Sequence, residues 1–225
     1  DINEPEDIKY EIPIELDGIL RDYQKFGFKW LKTLSQYGFG GILADDMGLG
    51  KTLQIITFLL SEKKEKGTVP SLVVVPTSLV YNWEAEVEKF AAELKVLVVT
   101  GSKEERKKLM EDIVNYDIII TSYPLIRRDI ELYQDFNFRY CILDEAQYIK
   151  NHNSLSAKSV KSIKASNYFA LTGTPMENSL MELWSIFDFL MPGYLLSNNK
   201  FMEKYEKPIF REQDSEALKD LNNHI

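Results

Sequence analysis

The run Asp45-Asp46-Met47-Gly48-Leu49-Gly50-Lys51-Thr52 follows an apolar segment, Gly41–Ala44, and opens an amphipathic one, Leu53–Leu60. Glycines in such a turn let backbone N–H groups close around phosphate oxygens, and the helix start behind them adds a favourable dipole. A lysine there reaches the β- and γ-phosphates, and the hydroxyl after it holds Mg²⁺. Lys51 and Thr52 occupy those places, so the run approximates a Walker A loop. It departs from the consensus at Asp45, where the first glycine is expected. A second group, Asp144-Glu145-Ala146-Gln147, ends the apolar run Tyr140–Leu143. Ligands of parallel α/β sheets sit at the carboxyl ends of strands, which brings this acidic pair beside the phosphate loop. Asp144 would then hold Mg²⁺, and Glu145 would orient or deprotonate the attacking water. The alternative for the pair is helix N-capping, which acidic residues also favour.

The elements that must position these residues follow from hydrophobic periodicity. Continuous apolar runs recur at Gly41–Ala44, Leu72–Val75, Val96–Val99, Ile118–Thr121, Tyr140–Leu143 and Tyr168–Leu171. Continuous runs mark strands buried on both faces, as in a parallel sheet. Amphipathic stretches alternate with them: Leu53–Leu60, Trp83–Phe90, Glu104–Ile113 and Ser154–Ile163. The fold expected is a doubly wound, mainly parallel α/β sheet flanked by helices. A helix over Asp22–Gln36 should turn Phe26, Trp30, Leu31 and Leu34 to one face. Another over Leu180–Leu190 should start at a capping box of Ser179 and Glu182 and stop at Pro192-Gly193. That helix carries only Glu182, Ser185 and Asp188 as strongly polar positions, so it should be nearly surrounded. Three segments are expected: an irregular acidic leader over 1–15, an ATP-binding lobe over 16–196 and a helical tail over 197–225. The chain opens on Asp1 rather than Met and reads as a fragment of a longer protein.

With 225 residues, 44% of them hydrophobic, the chain can bury an ordinary core. It contains no apolar run of the roughly 18 residues that a membrane-crossing helix needs. The single cysteine, Cys141, forms no internal disulfide and implies a reducing compartment. His152 and His224 are the only histidines, which disfavours a histidine metal site or a Ser-His-Asp triad. The net charge of −8 argues mildly against a nucleic-acid binder.

Taken in order, the motifs resemble the N-terminal RecA-like lobe of the Snf family (switch/sucrose-nonfermenting type) of helicase-like ATPases, in helicase superfamily two. The likeness runs from about Leu20 to Pro208. Leu20-Arg21-Asp22-Tyr23-Gln24 resembles the adenine-reading motif, in which Gln24 would bond the base. Asp45–Thr52 resembles the first motif including its acidic start, and implies nucleotide contacts from Asp46, Gly48, Leu49, Gly50, Lys51 and Thr52. Pro76-Thr77-Ser78-Leu79 through Asn82-Trp83 and Thr121-Ser122-Tyr123 resemble the next two. Asp144–Gln147 is similar to the DEAH box, with Gln147 in place of its histidine. Leu171–Asn178 resembles the motif that couples hydrolysis to nucleic-acid movement, which assigns coupling to Gln147, Thr172, Gly173 and Thr174. Leu183-Trp184 and Pro192-Gly193 also fit.

The resemblance implies a double-stranded DNA translocase that uses ATP and Mg²⁺. It implies a second RecA-like lobe bearing an arginine for the γ-phosphate, a DNA-bound protein as cargo and an intracellular location, cytoplasm or nucleoid in a microbe and nucleus in a eukaryote; the lack of a long apolar run implies no membrane partner. Thr77, Ser78, Thr121 and Ser122 would touch DNA phosphates, contacts that need no net positive charge. The same residues could instead only cap helices and turns.

Lys158, Lys161 and Lys164 lie in a stretch without acidic residues, 146–176, and could share one basic helix face. They could equally be the solvated side of a helix whose Leu155, Val160 and Ile163 face the core. Trp30, Trp83 and Trp184 sit at apolar helical positions and read as core. Two further functions fit parts of the pattern. An ATP-binding switch or scaffold would not require Glu145. An RNA helicase lobe fits less well with the acidic start of the phosphate loop and with Thr172-Gly173-Thr174-Pro175.

Overall fold

The computed structural model describes residues 10–44, 50–173, 180–211 and 213–225. The chain begins with one helical turn, α1 (Ile14–Asp17), and α2 (Asp22–Tyr37). Then come β1 (Gly41–Leu43), α3 (Lys51–Lys66), β2 (Ser71–Val75), α4 (Val80–Phe90) and β3 (Val96–Val98). These are followed by α5 (Lys103–Met110), β4 (Ile118–Ser122), α6 (Tyr123–Asp129) and β5 (Asn137–Leu143). The series closes with α7 (Leu155–Lys161), β6 (Lys164–Leu171) and α8 (Leu180–Leu190). Among the described residues six strands form one sheet in the order β1-β6-β5-β2-β4-β3, every neighbouring pair parallel. All carboxyl ends therefore lie on one edge.

Alternate strand residues feed two cores. Val73, Val75, Ile118, Ile120 and Ile142 pack under Phe28, Leu31, Ile55, Phe58 and Trp83 on the face covered by α2, α3 and α4. Leu72, Val74, Ile119, Cys141 and Leu143 pack against Ile126, Val160, Ile186 and Phe189 on the other face. The apolar character of α8 has a matching cause. Its Ile186, Phe189 and Leu190 face the sheet, while Leu183, Trp184 and Phe187 face a helical tail through Phe201, Tyr205 and Leu221. The tail consists of α9 (Asn198–Phe201), a π-helical turn (Met202–Glu206), α10 (Lys207–Arg211) and α11 (Ser215–His224). Among the described residues no helix is long and apolar enough to cross a membrane.

Several expectations change. The leader is not irregular up to its expected end, because α1 begins at Ile14 and buries Leu16 completely. On α2 the core face is Phe28, Leu31 and Leu34, and Phe26 points to solvent. Leu155 is likewise exposed, while Val160 and Ile163 are buried. The proposed lysine stripe does not exist. Lys164 is the first residue of β6 rather than part of a helix, and Lys161 is tied 2.9 Å from Asp188 and lies over the Trp184 ring. The polar stripe of α8 is spent internally too. Ser185 donates to the Ile149 carbonyl at 2.6 Å, and Glu182 lies 3.6 Å from Lys150. Ser179 of the expected capping box lies outside the described residues.

Candidate nucleotide and metal site

At the carboxyl edge, α3 starts where a phosphate would need it. Gly50 caps the helix at φ 72°, ψ 43°, a left-handed conformation that glycine adopts without steric cost. Lys51 and Thr52 are the first two residues of α3, so the unpaired N–H groups of that helix start surround them. Space over Gly50 is claimed by Gln24: a β-carbon there would lie 2.4 Å from Gln24 Nε2. Gln24 Oε1 accepts the Arg21 N–H at 3.0 Å, which fixes the side-chain amide at the start of α2. The residue expected to read the base and the helix expected to hold the phosphates are thus adjacent. Asp46, Gly48 and Leu49, expected in the same loop, lie outside the described residues.

Asp144 follows β5 at the same edge. Its N–H donates to the Val74 carbonyl at 2.9 Å, continuing the ladder between β5 and β2. Its two carboxylate oxygens have separate donors: Trp83 Nε1–H on Oδ2 and the Glu145 N–H on Oδ1, each at 2.8 Å. Tyr123 Oη donates to the Asp144 carbonyl at 2.6 Å. Burial pushes the Asp144 carboxyl above its ordinary value and the Glu145 charge adds to this; Trp83, the Glu145 N–H and the Lys51 charge oppose them. Lys51 opens the helix after β1 and Asp144 follows β5, so both stand at the carboxyl edge of the one parallel sheet. A third carboxylate faces this region from α4. Burial and then the Asp144 charge raise the Glu86 carboxyl.

Glu145 adopts φ 48°, ψ 55°, the left-handed region for a residue with a β-carbon. Its carboxylate accepts from Gln147 Nε2 at 2.5 Å, and Gln147 Oε1 accepts from Thr172 Oγ1 at a long 3.3 Å. Thr172 follows β6 and donates its N–H to the Leu43 carbonyl of β1 at 3.2 Å. Three of the residues singled out for coupling and hydrolysis thus form a chain, Thr172–Gln147–Glu145. Gly173 comes next, and Thr174 lies outside the described residues.

The four hydroxyl residues expected at DNA divide. Thr77 and Ser78 are exposed, in the helical turn after β2 at the carboxyl edge. Thr121 and Ser122 end β4 and are 0% and 1% exposed, so as folded they present no hydroxyl to a phosphate. Trp83 fills the core as read, but its indole N–H also needs an acceptor when buried, and the acceptor is Asp144. That requirement was the available signal for Trp83; nothing in the local sequence singled out Glu86.

The comparisons with known proteins agree with this architecture. The profile of the SNF2-related domain matches residues 23–225. The TATA-binding protein-associated factor MOT1 of Saccharomyces cerevisiae is 42% identical over 92% of this chain, and the chain spans 12% of its length. An uncharacterised ATP-dependent helicase of Mycoplasma pneumoniae is 43% identical over 92% of this chain, which spans 22% of it. The Sulfolobus solfataricus SWI2/SNF2 ATPase core in complex with dsDNA superposes with a TM-score of 0.85 at 41% identity, covering 100% of this chain and 45% of that one. A backbone that superposes this closely, and a family profile and an identity of this size over nearly the whole length, leave one assignment: the chain belongs to the SNF2-related domain family.

Proposed function

We propose that this chain binds ATP with Mg²⁺ at the carboxyl edge of its sheet and acts as the first lobe of an ATP-driven motor on double-stranded DNA. The observation that carries the proposal is the position of Gly50, Lys51, Asp144 and Glu145 at the carboxyl edge of one parallel sheet. The residues fit the group. The space over Gly50 would be filled by any β-carbon. A carboxylate and a hydroxyl, Asp144 and Thr52, are the hard oxygen donors that Mg²⁺ takes beside phosphate oxygens. When bound, Mg²⁺ neutralises charge on the transferring phosphoryl group. Lys51 holds the β- and γ-phosphates, Gln24 faces the base, and Glu145 orients the attacking water and takes its proton. The Thr172–Gln147–Glu145 chain supports a coupling role for Gln147 and Thr172, because movement of the β6 end reaches the water-orienting carboxylate through two hydrogen bonds.

Double-stranded DNA as the track is supported by the likeness to a core complexed with dsDNA and by the exposed Thr77 and Ser78. The motor acts inside the cell, where duplex DNA is. A second RecA-like lobe supplies the remaining catalytic charge. A DNA-bound protein as cargo is in keeping with the name of the yeast relative. Nucleotide titration of the chain and two variants tests the site. Lys51→Ala should abolish or greatly weaken binding, since a phosphate-facing point charge is lost. Glu145→Gln should retain binding and stop hydrolysis in the two-lobed protein. Equal loss of both with Glu145→Gln would remove its assigned role.

A further inference from the structure

We infer that Trp83 and Tyr123 are positioning residues that hold Asp144 in its metal-facing orientation. The inference rests on the reading that Asp144 holds Mg²⁺. Trp83 is 2% exposed and Tyr123 1%, and the polar atom of each is aimed at Asp144. The indole N–H takes Oδ2 at 2.8 Å while the Glu145 N–H takes Oδ1 at the same distance. Rotation of the carboxylate breaks at least one of these bonds in a buried setting, where leaving a donor unmatched is costly. Each oxygen keeps a further lone pair for a metal ion or its water. Tyr123 fixes the backbone beneath through the Asp144 carbonyl at 2.6 Å. Its ring is itself held by a parallel stack on Tyr148, centroids 4.8 Å apart and planes 7° apart. Donors from α4, α6 and the turn after Asp144 therefore converge on one residue.

Such outer partners of a metal-holding group are worth about 10–100-fold in metal affinity. A purely space-filling role would instead show as lost stability, with metal affinity intact. The two are separated by titrating a fluorescent ATP analogue into the 225-residue chain, once in EDTA and once in excess Mg²⁺. The variants are Trp83→3-benzothienylalanine, which keeps the bicyclic shape and removes only the N–H, Trp83→Phe, and Tyr123→Phe. The expected result is unchanged affinity in EDTA and an Mg²⁺-dependent gain reduced about 10-fold or more. Retention of the full gain in the folded benzothienylalanine variant overturns the assignment for Trp83, and retention in Tyr123→Phe does so for Tyr123. Equal losses with and without Mg²⁺ also overturn it, since they indicate general disruption. Asp144→Ala serves as the control for the underlying reading. If it keeps the wild-type gain, Asp144 is not the metal holder and the site reading itself fails, whatever the other variants do.

Discussion

Glu145 is the residue where backbone comfort and chemistry oppose each other. At φ 48° its β-carbon crowds the backbone, which costs an L-residue roughly 1–2 kcal/mol. The conformation is over-determined by its surroundings: Asp144 Oδ1 accepts the Glu145 N–H, Gln147 holds its carboxylate, and the Tyr148 N–H donates to its carbonyl at 3.0 Å. Replacement by alanine and by glycine separates the backbone from the side chain. Both variants delete the carboxylate and the bond from Gln147. Alanine keeps the steric cost and glycine removes it, at an ordering penalty of about 0.5–1 kcal/mol. The difference leaves Glu145→Gly more stable than Glu145→Ala by roughly 0.5–1 kcal/mol. At an ordinary helical position the sign is the reverse, so the order of the two variants is the diagnostic. Urea unfolding at equal m-values measures it directly. In thermal unfolding the same difference corresponds to roughly 1–4 °C for a chain of this size. An alanine variant as stable as the glycine variant, or more so, would refute the idea that strain is stored here, and with it the idea that the fold spends stability to aim this carboxylate.

Away from the site, Lys32 and Glu62 form a buried pair, 4% and 1% exposed and 2.6 Å apart, with Lys32 also 2.7 Å from Glu65. Lys32→Ala leaves a buried carboxylate short of its main partner and should cost roughly 3–5 kcal/mol in urea unfolding; a loss within experimental error would show that the site rehydrates freely. The same pair predicts an acid limb. Burial raises the Glu62 carboxyl, but bonds from Lys32, Lys66 and Tyr140 outweigh it and leave the group below its ordinary value. A depressed carboxyl contributes stability that is fully present above the unfolded glutamate value of about 4.3 and disappears as pH falls through the lower folded value. Glu62→Gln should therefore be less stable at neutral pH yet lose less on acidification, as chemical denaturation across that window will show.

The strand cores were legible because both faces of the sheet are covered, so Val73, Ile119 and Ile142 stand in unbroken apolar runs. The amino-terminal ends of β5 and β6 were not. Asn137, Arg139, Lys164 and Asn167 carry the ladder with polar side chains, and backbone pairing leaves no hydropathy trace. Lys51 and the acidic pair could be singled out because the chemistry proposed for them is written in short local runs. The holders of Asp144 were not, since Trp83 and Tyr123 stand 61 and 21 residues away along the chain and meet it only through the strand order. For Thr121 and Ser122 the residue type allowed a phosphate contact, and only the depth of the β4 end excludes it in this conformation.

The placement of the arginines bears on how far this chain alone could carry the proposed ATP hydrolysis. Arg106 is held by both carboxylate oxygens of Asp129 and by the Gly101 carbonyl. Arg139 donates to the carbonyls of Glu62, Lys66 and Gly67 at the C-terminal end of α3, whose other end carries Lys51. A helix of 16 residues puts about 24 Å between the two ends. Arg21 caps α2 beside Gln24, at the base end of the site, while Arg127 and Arg128 lie in the last turn of α6 and Arg211 in α10 of the tail. Arg106 and Arg139 are thus committed to other partners, and in the proposed motor the charge at the γ-phosphate comes from a second lobe. An arginine reaching that phosphate contributes about 10³–10⁵ in rate. The chain by itself should therefore bind nucleotide but turn it over slower by a factor of that order than a two-lobed protein containing it. Duplex DNA should not stimulate the chain alone, because in the proposed motor stimulation comes from two lobes closing on one duplex. Steady-state ATP turnover of both proteins, with and without duplex DNA, checks this. Comparable, DNA-stimulated turnover in the chain alone would mean that one of its own arginines completes the site, and the assignment of that charge to a second lobe would have to be withdrawn.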